Sequence, residues 1–397
     1  MQTGLEKFTM SFCIKIVVNE FCGVHIERGL TGSLKKKRLA AMRIVTVGYL
    51  HGSGGAERQI IMLSNELARR GHDVHLVVLN EYRSPYTVSD YVRIHDLTSV
   101  EQGKYRIVQR FEAFRKALSE IRPDVTINYN LQSAYFSLLV GKGRTGKVLY
   151  SERGDPYDKE YSGLLGFVRD ITCKKVDALV FQSEGARDFF KIGSRQKAIV
   201  IHNSVAVPQD KYPVAGRRDN RIVTVGRLHP QKNPHLLIDA FARIASKYAA
   251  ITLAFYGDGE LRDELQNKID SLGLAGRIKL NAGRKDIFDC IRTARLFVLS
   301  SDYEGMPNAL MEAMSLGLPC ISTDCRPGGA RTLIEDGKNG FIVPVKDVDA
   351  MANKMAYLLD NPDVAERAAM EARRLGETHT NEAVFDEWNK FLKEVVR

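Results

Sequence analysis

Four charged side chains have the types and spacing to handle a phosphorylated, hydroxyl-rich ligand. Glu304 and Glu312 stand at the two ends of a Glu-x7-Glu spacing in Ser300-Ser301-Asp302-Tyr303-Glu304-Gly305-Met306-Pro307-Asn308-Ala309-Leu310-Met311-Glu312. A strand ends at Ser300 and a helix starts near Pro307, so Glu304 sits in the loop at the helix mouth and Glu312 in the second turn. Carboxylates accept hydrogen bonds from hydroxyls, and the N–H groups at a helix start favour phosphate. The plain alternative is a capped helix with an incidental acid. Gly305 and Pro307 beside Glu304 argue against it, because they fix loop geometry. Arg227 and Lys232 follow another strand in Val225-Gly226-Arg227-Leu228-His229-Pro230-Gln231-Lys232-Asn233-Pro234. Loops at the carboxyl edge of a parallel sheet are where ligands bind in α/β proteins. Arg forks onto a diphosphate, and Lys adds a compact point charge.

Other motifs are weighed against plainer readings. Gly52-Ser53-Gly54-Gly55 lies between a strand and a helix, where backbone can approach an anion closely; the alternative is an unliganded turn. A literal G-x-G-x-x-G at Gly141, Gly143 and Gly146 follows a helical stretch and precedes a strand. That order is the reverse of a dinucleotide fingerprint, so it reads as a basic loop exposing Lys142, Arg144 and Lys147. Asp347-Val348-Asp349 matches the D-x-D of metal-dependent sugar transferases, but directly before a helical run Asp347 reads as an N-cap. The nine histidines form no H-x-x-x-H pair or Cys/His cluster of metal spacing, and there is no G-x-S-x-G elbow. No metal is expected.

These residues need a scaffold, and the sequence repeats one. Arg43 to His51 reads R-I-V-T-V-G-Y-L-H, and Arg221 to His229 reads R-I-V-T-V-G-R-L-H. Each copy is a buried-type strand closed by Gly and followed by a helical pattern, Ala56 to Arg70 in one and Pro234 to Ala245 in the other. Further strands are expected at Val74–Leu79, Val125–Asn128, Val148–Ser151, Ala178–Gln182 and Ala198–Ile201. In the second half they are expected at Thr252–Tyr256, Ile278–Asn281, Leu296–Ser300, Pro319–Ser322 and Gly340–Val343. The alternation predicts an α/β protein of two Rossmann-like, doubly wound domains with parallel sheets. The expected domains are 42–208 and 209–380, with a terminal helix over 381–397 crossing back to the first. Residues 1–41 read as a leader, disordered or foreign to the native protein, with Met42 as the natural start.

Composition narrows the class. The 397 residues are 44% hydrophobic and 27% charged, ordinary for a globular chain, and no apolar run is long enough to span a bilayer. Six scattered cysteines fit neither a disulfide framework nor a zinc ribbon, which suits a reducing cytosol. The net charge of +10 is uneven: residues 1–210 hold 31 Lys and Arg against 22 Asp and Glu, whereas residues 211–397 hold 27 against 26. The first half therefore suits an anionic surface, phospholipid headgroups or nucleic acid, with a merely solvated basic surface as the equal alternative. Nucleic acid has the charge in its favour but no aromatic-interleaved basic motif.

The ordered set V-G-R-L-x-x-x-K-N, Y-G-D-G-E-L (Tyr256 to Leu261), S-D-Y-E-G-M-P-N-A-L-M-E-A-M-S-L-G-L-P and D-G-K-N-G-F-I-V-P (Asp336 to Pro344) resembles family 4 of the retaining glycosyltransferases. The resemblance covers most of the chain from Met42 to the C-terminus and is most specific in the second domain. It implies the GT-B fold, two domains facing across a cleft, and a nucleotide-sugar donor used without metal or other cofactor. It also implies roles. Arg227 and Lys232 neutralise the diphosphate, Glu312 bonds the ribose, Glu304 holds the transferred sugar, and the backbone of Met306, Pro307, Asn308 and Ala309 faces sugar and phosphate. Gly283, Arg284 and Lys285 border the base, and Gly54 and Gly55 close over the donor. Many members carry a His after a late strand of the first domain. Here the string is Tyr150-Ser151-Glu152-Arg153-Gly154-Asp155-Pro156, leaving Glu152, Arg153 or Asp155 for the acceptor side. This string is similar to that of some bacterial surface-polysaccharide enzymes. The expected activity is transfer of a UDP-linked sugar to a lipid-carrier-linked glycan, in the cytoplasm at the inner face of the membrane. The alternatives are a UDP-N-acetylglucosamine 2-epimerase-like enzyme and a non-catalytic glycan- or nucleotide-binding protein.

Overall fold

A computed structural model describes residues 41–397 apart from 51, 53, 99–105, 159–160, 191–196, 206 and 209–217. The leader expected over residues 1–41 thus lies outside the described residues, Ala41 excepted. By contacts the chain divides into two compact units. The first runs to Tyr150 and adds Lys175–Asp177 and Val396; the second holds Ser151–Lys174, Ala178–Val395 and Arg397.

In the first unit, strands β1 (Arg43–Gly48), β2 (Asp73–Val78), β3 (Val92–Asp96), β4 (Val125–Asn128) and β5 (Lys147–Ser151) lie in the order β3-β2-β1-β4-β5. Every pair is parallel. β1 is buried from its second residue on, the mark of a strand covered on both faces. Its helix, Gly55–Arg69, buries Ile60, Leu63 and Leu67 at helical spacing and stops at Gly71, whose φ is +86°. Val45, Val47, Val77, Phe114, Leu118 and Phe136 share one core cluster. β3 was not among the expected strands: only Val92 of V-R-I-H-D is buried, so this edge strand carries no apolar run. The G-x-G-x-x-G segment contains a short helix, Lys142–Thr145, in place of the expected loop, and Lys147 lies in β5.

In the second unit, β6 (Ala178–Phe181) and β7 (Lys197–Val200) form a parallel pair. A six-stranded sheet contains β8 (Arg221–Val225), β9 (Thr252–Tyr256), β10 (Ile278–Asn281), β11 (Leu296–Leu299), β12 (Cys320–Thr323) and β13 (Phe341–Val343), ordered β10-β9-β8-β11-β12-β13. Alternate residues feed opposite faces. Ile222, Leu253, Phe255, Leu296 and Val298 join one cluster, while Val223, Ala254, Tyr256, Phe297 and Leu299 join another. Both faces are therefore dry, as a doubly wound sheet requires. Each fully buried aliphatic side chain contributes about 1.5–3 kcal/mol. The strand order reverses between β8 and β11, so the loops leaving those two strands flank the switch point of the sheet.

Candidate functional site

The two switch-point loops are laced together by hydrogen bonds. Gln231 Nε2 donates to the Tyr303 carbonyl at 3.0 Å, and Asp302 N donates to the Gln231 carbonyl at 2.9 Å. Asn233 Nδ2 reaches Asp302 Oδ1 at 2.7 Å, and Ser300 Oγ reaches the Lys232 carbonyl at 2.9 Å. Asn233 itself takes a left-handed φ of +42° and caps the helix Pro234–Ala245 through Leu236 N. This lacing sets Lys232 Nζ against Glu304 Oε1, which also accepts from Ser301 Oγ at 2.7 Å. Glu304 is only 6% exposed. Thus the cation and the acid that the resemblance sends to different parts of a donor hold each other here. Arg227 is exposed and touches Gln231 Oε1 at 3.3 Å. Thr224, Gly226, Arg227, Lys232, Pro234 and Ser300 are among the residues lining a small pocket.

The Tyr256-Gly257-Asp258-Gly259 turn is built for close backbone approach. A Cβ on Gly257 would stand 2.0 Å from the Gly226 carbonyl oxygen, and one on Gly259 2.2 Å from that of Leu228. Gly226 N and Leu228 N bond the carbonyls of Tyr256 and Asp258 at 3.0 Å each, so this contact shapes the Arg227 loop. Asp258 also accepts from Gly283 N at 2.9 Å, a bond that helps hold its carboxyl below the usual range. Beyond it, Arg284 pairs with Asp286 on an exposed loop that includes Lys285.

The helix Asn308–Ser315 has Pro307 at its cap and no side chain closing its N-terminus. Asn308 and Ala309, half-buried, form its first turn, Met306 is buried just before it, and Glu312 is buried in its second turn. Such an end presents N–H groups to an anion. In the first unit, Gly54 caps Gly55–Arg69 without a side-chain bond, and Glu57 Oε2 accepts from Gly52 N at 2.9 Å. That turn already has a carboxylate of its own.

The acceptor-side candidates lie in the second unit. Glu152 is buried and staples its own loop, Oε1 accepting from Arg153 N at 3.0 Å and Gly154 N at 2.9 Å. Asp155 accepts from Tyr157 N at 3.0 Å and faces Arg326 at 3.9 Å; burial pushes its carboxyl above the usual range. Arg153 reaches Asn203 Oδ1 at 3.0 Å, and Gln182 Nε2 reaches the same oxygen at 2.6 Å. Sequence reasoning missed Asn203 and Gln182. The one signal was a lone amide after an apolar strand, in I-H-N-S-V. Asp347 caps Val348–Asp360 through Ala350 N at 2.8 Å, and Asp349 pairs with Arg243, so this D-x-D is occupied structurally.

Comparison with known proteins bears on this site. A family model described as Glycosyltransferase Family 4 matches residues 53–207, and one described as Glycosyl transferases group 1 matches residues 210–375. A Campylobacter jejuni α-1,4-N-acetyl-D-galactosaminyltransferase, named for a diphosphoundecaprenol-linked substrate, is 25% identical over 365 residues, covering 89% of this chain and 99% of its own. An Escherichia coli UDP-Gal:α-D-GlcNAc-diphosphoundecaprenol α-1,3-galactosyltransferase is 35% identical over 156 residues, 38% of this chain and 40% of its own. Among solved structures, an Anabaena protein in complex with UDP-glucose superposes with a TM-score of 0.76 at 18% identity, covering 89% of this chain and all of that one.

Proposed function

This chain belongs to family 4 of the glycosyltransferases, and from that premise we propose that it transfers a sugar from a UDP-linked donor, with retention of configuration, to a polyprenyl-diphosphate-linked glycan of a surface polysaccharide. The observation that carries the reading is the cluster at the switch point: Arg227, Lys232 and Glu304 on laced loops beside the open N-terminus of Asn308–Ser315. Breaking the sugar–phosphate bond develops positive charge at the anomeric carbon and negative charge on the leaving diphosphate. In this reading Arg227, Lys232 and the helix N–H groups stabilise that negative charge, and they do so without a divalent ion. Glu304 takes the sugar hydroxyls and Glu312 the ribose. The names of the Campylobacter and Escherichia relatives support the lipid-linked acceptor, and the latter also supports the UDP donor.

Work at an anionic membrane surface fits two further observations. The basic excess lies in the first half of the sequence, and the helix Leu164–Lys175 exposes Leu164 and Phe167 at 52% and 60%, with exposed Lys174 near its end. Among the described residues no helix is long and apolar enough to cross a membrane.

The test is incubation with a panel of UDP-sugars and an undecaprenyl-diphosphate-linked acceptor, with and without EDTA, following free UDP and the product anomer. Acceptor-dependent UDP release that survives EDTA supports the reading. An epimerised donor without UDP release, donor binding without turnover, or loss of turnover on chelation would each defeat it.

A further inference from the structure

We propose that Asn203 is a positioning residue for transfer, fixing the first turn of Asn308–Ser315 and the Ser151–Pro156 loop as one rigid piece. The inference rests on the donor-site reading above. Asn203 follows β7 and is 2% exposed. Its side-chain amide is fully engaged. Oδ1 accepts from Arg153 Nη1 at 3.0 Å and Gln182 Nε2 at 2.6 Å, while Nδ2 donates to Asn308 Oδ1 at 2.7 Å and lies 3.5 Å from the Met306 carbonyl. Guanidinium only donates, so the Arg153 contact fixes which end of the amide is oxygen. The backbone N–H of Asn203 adds a contact to Met306 Sδ at 3.2 Å. One buried amide therefore joins the loop after β5, the residue after β6 and the mouth of the helix.

The surrounding packing leaves no slack to replace these bonds. A Cβ on Gly305 would stand 2.5 Å from the Arg153 carbonyl oxygen and 2.7 Å from Gln182 Oε1. One on Gly329 would stand 2.0 Å from the Gly305 carbonyl oxygen, and one on Gly185 2.1 Å from that of Pro327. The backbone of 305–306 is thus pressed between 153, 182 and 329, and Asn203 sets its lateral register. The side chain is spent on the protein itself, so Asn203 acts through Asn308 and Arg153. Reacting groups displaced by about 1 Å lose on the order of 10²-fold in rate. The loops that carry Arg227 and Lys232 keep their own lacing when Asn203 is changed, so donor binding is retained. The loss should therefore fall on kcat.

The experiment is steady-state transfer with the UDP-sugar that the wild-type enzyme uses, on Asn203→Ala, Asn203→Asp, Asn308→Ala and the Asn203→Asp/Asn308→Ala pair. Active sites are counted by UDP binding. Asn203→Ala should lower kcat on the order of 10²-fold while donor KM changes by less than about threefold. Asn203→Asp keeps the acceptor for Arg153 and Gln182 but offers Asn308 an oxygen in place of a donor, which Asn308 meets only by flipping its own amide, so kcat should fall less than in Asn203→Ala, about tenfold. If Asn203→Ala does not fold, the aspartate variant and the pair carry the test. The loss in the pair should be no greater than that of the worse single variant, because both changes cut the same link. A lower melting temperature with unchanged kcat per active site, or losses that multiply in the pair, would overturn the proposal. A wild-type enzyme inactive with every donor would sink the transferase reading itself, and this inference with it.

Discussion

Lys232→Ala separates the structural from the catalytic weight of the Lys232–Glu304 pair. Removing Nζ leaves a carboxylate that is 6% exposed with Ser301 Oγ but without its cation. A hydrogen bond to a charged group contributes about 1.5–3 kcal/mol. The Lys232 side chain keeps 22% exposure, so water enters and the lower end, about 1.5 kcal/mol, applies. For a domain of this size that lowers the melting temperature by about 3–6 °C. The rate loss is separate. Deleting one preorganised positive group at a developing anion costs on the order of 10²-fold, which is about 2.7 kcal/mol of transition-state stabilisation. Differential scanning fluorimetry and a coupled assay of released UDP read the two effects independently. In Lys232→Ala/Glu304→Gln the stranded charge is gone, so the melting temperature should recover while the rate stays low. A single variant within about threefold of wild-type turnover, or a pair that regains rate and stability together, would refute a catalytic cation at 232.

The remaining expectations concern packing, charge geometry and pH. Gly257→Ala puts a methyl 2.0 Å from the Gly226 carbonyl oxygen at a φ of +153°, so it should destabilise by about 1–3 kcal/mol and displace the Arg227 loop; urea melts together with UDP titration check both effects. Arg227→Lys keeps the charge but loses the fork, and donor KM should rise about tenfold in the UDP-release assay with the melting temperature unchanged. His202 and His379 stack at 5.1 Å with Nδ1 and Nε2 2.9 Å apart, and burial holds both below the usual histidine range. The unfolded chain then binds protons more readily, so this contribution to stability is intact above about pH 6.5 and falls as pH drops below it. His75 and His95, stacked at 5.1 Å in the first unit, behave alike. Urea midpoints should fall between about pH 7 and pH 5, less steeply in His379→Gln, and a flat wild-type profile would contradict the argument.

What was legible in the sequence follows from the distance over which each interaction acts. β4 and β9 have the bounds expected of them, because strands buried on both faces carry no charged residue. The Asp347 cap was readable because its partner lies three residues on. β3 was not, since an edge strand with exposed Arg93 and Ile94 carries no such constraint. At the site, Lys232 and Glu304 were each visible as chemistry, but their pairing spans 72 residues and depends on β8 lying beside β11. The Asn203 link spans 50 residues to Arg153 and 105 to Asn308. No local pattern marks an amide whose partners come from three separate loops. The glycines of Y-G-D-G-E-L stood out as a motif, yet their reason is the backbone of a different loop, at Gly226 and Leu228.

The pairing of Lys232 with Glu304 also dictates how the site must respond to its ligand. Lys232 Nζ bonds Glu304 Oε1, so on the proposed role of Lys232 an incoming diphosphate shares the ammonium with a carboxylate that offsets its charge. Bonds to an ionised acceptor are roughly twice as strong as neutral ones. Glu304→Gln removes that offsetting charge without removing the shape of the side chain. UDP alone should then bind more tightly, by about 1 kcal/mol or roughly fivefold, while transfer falls because the sugar hydroxyls lose their charged acceptor. The two signs are opposite, which a general loosening of the loop could not produce. Isothermal titration with UDP and turnover with the UDP-sugar, run on the same preparation, decide it. If the variant binds UDP more weakly than wild type, the ammonium is not the diphosphate's partner.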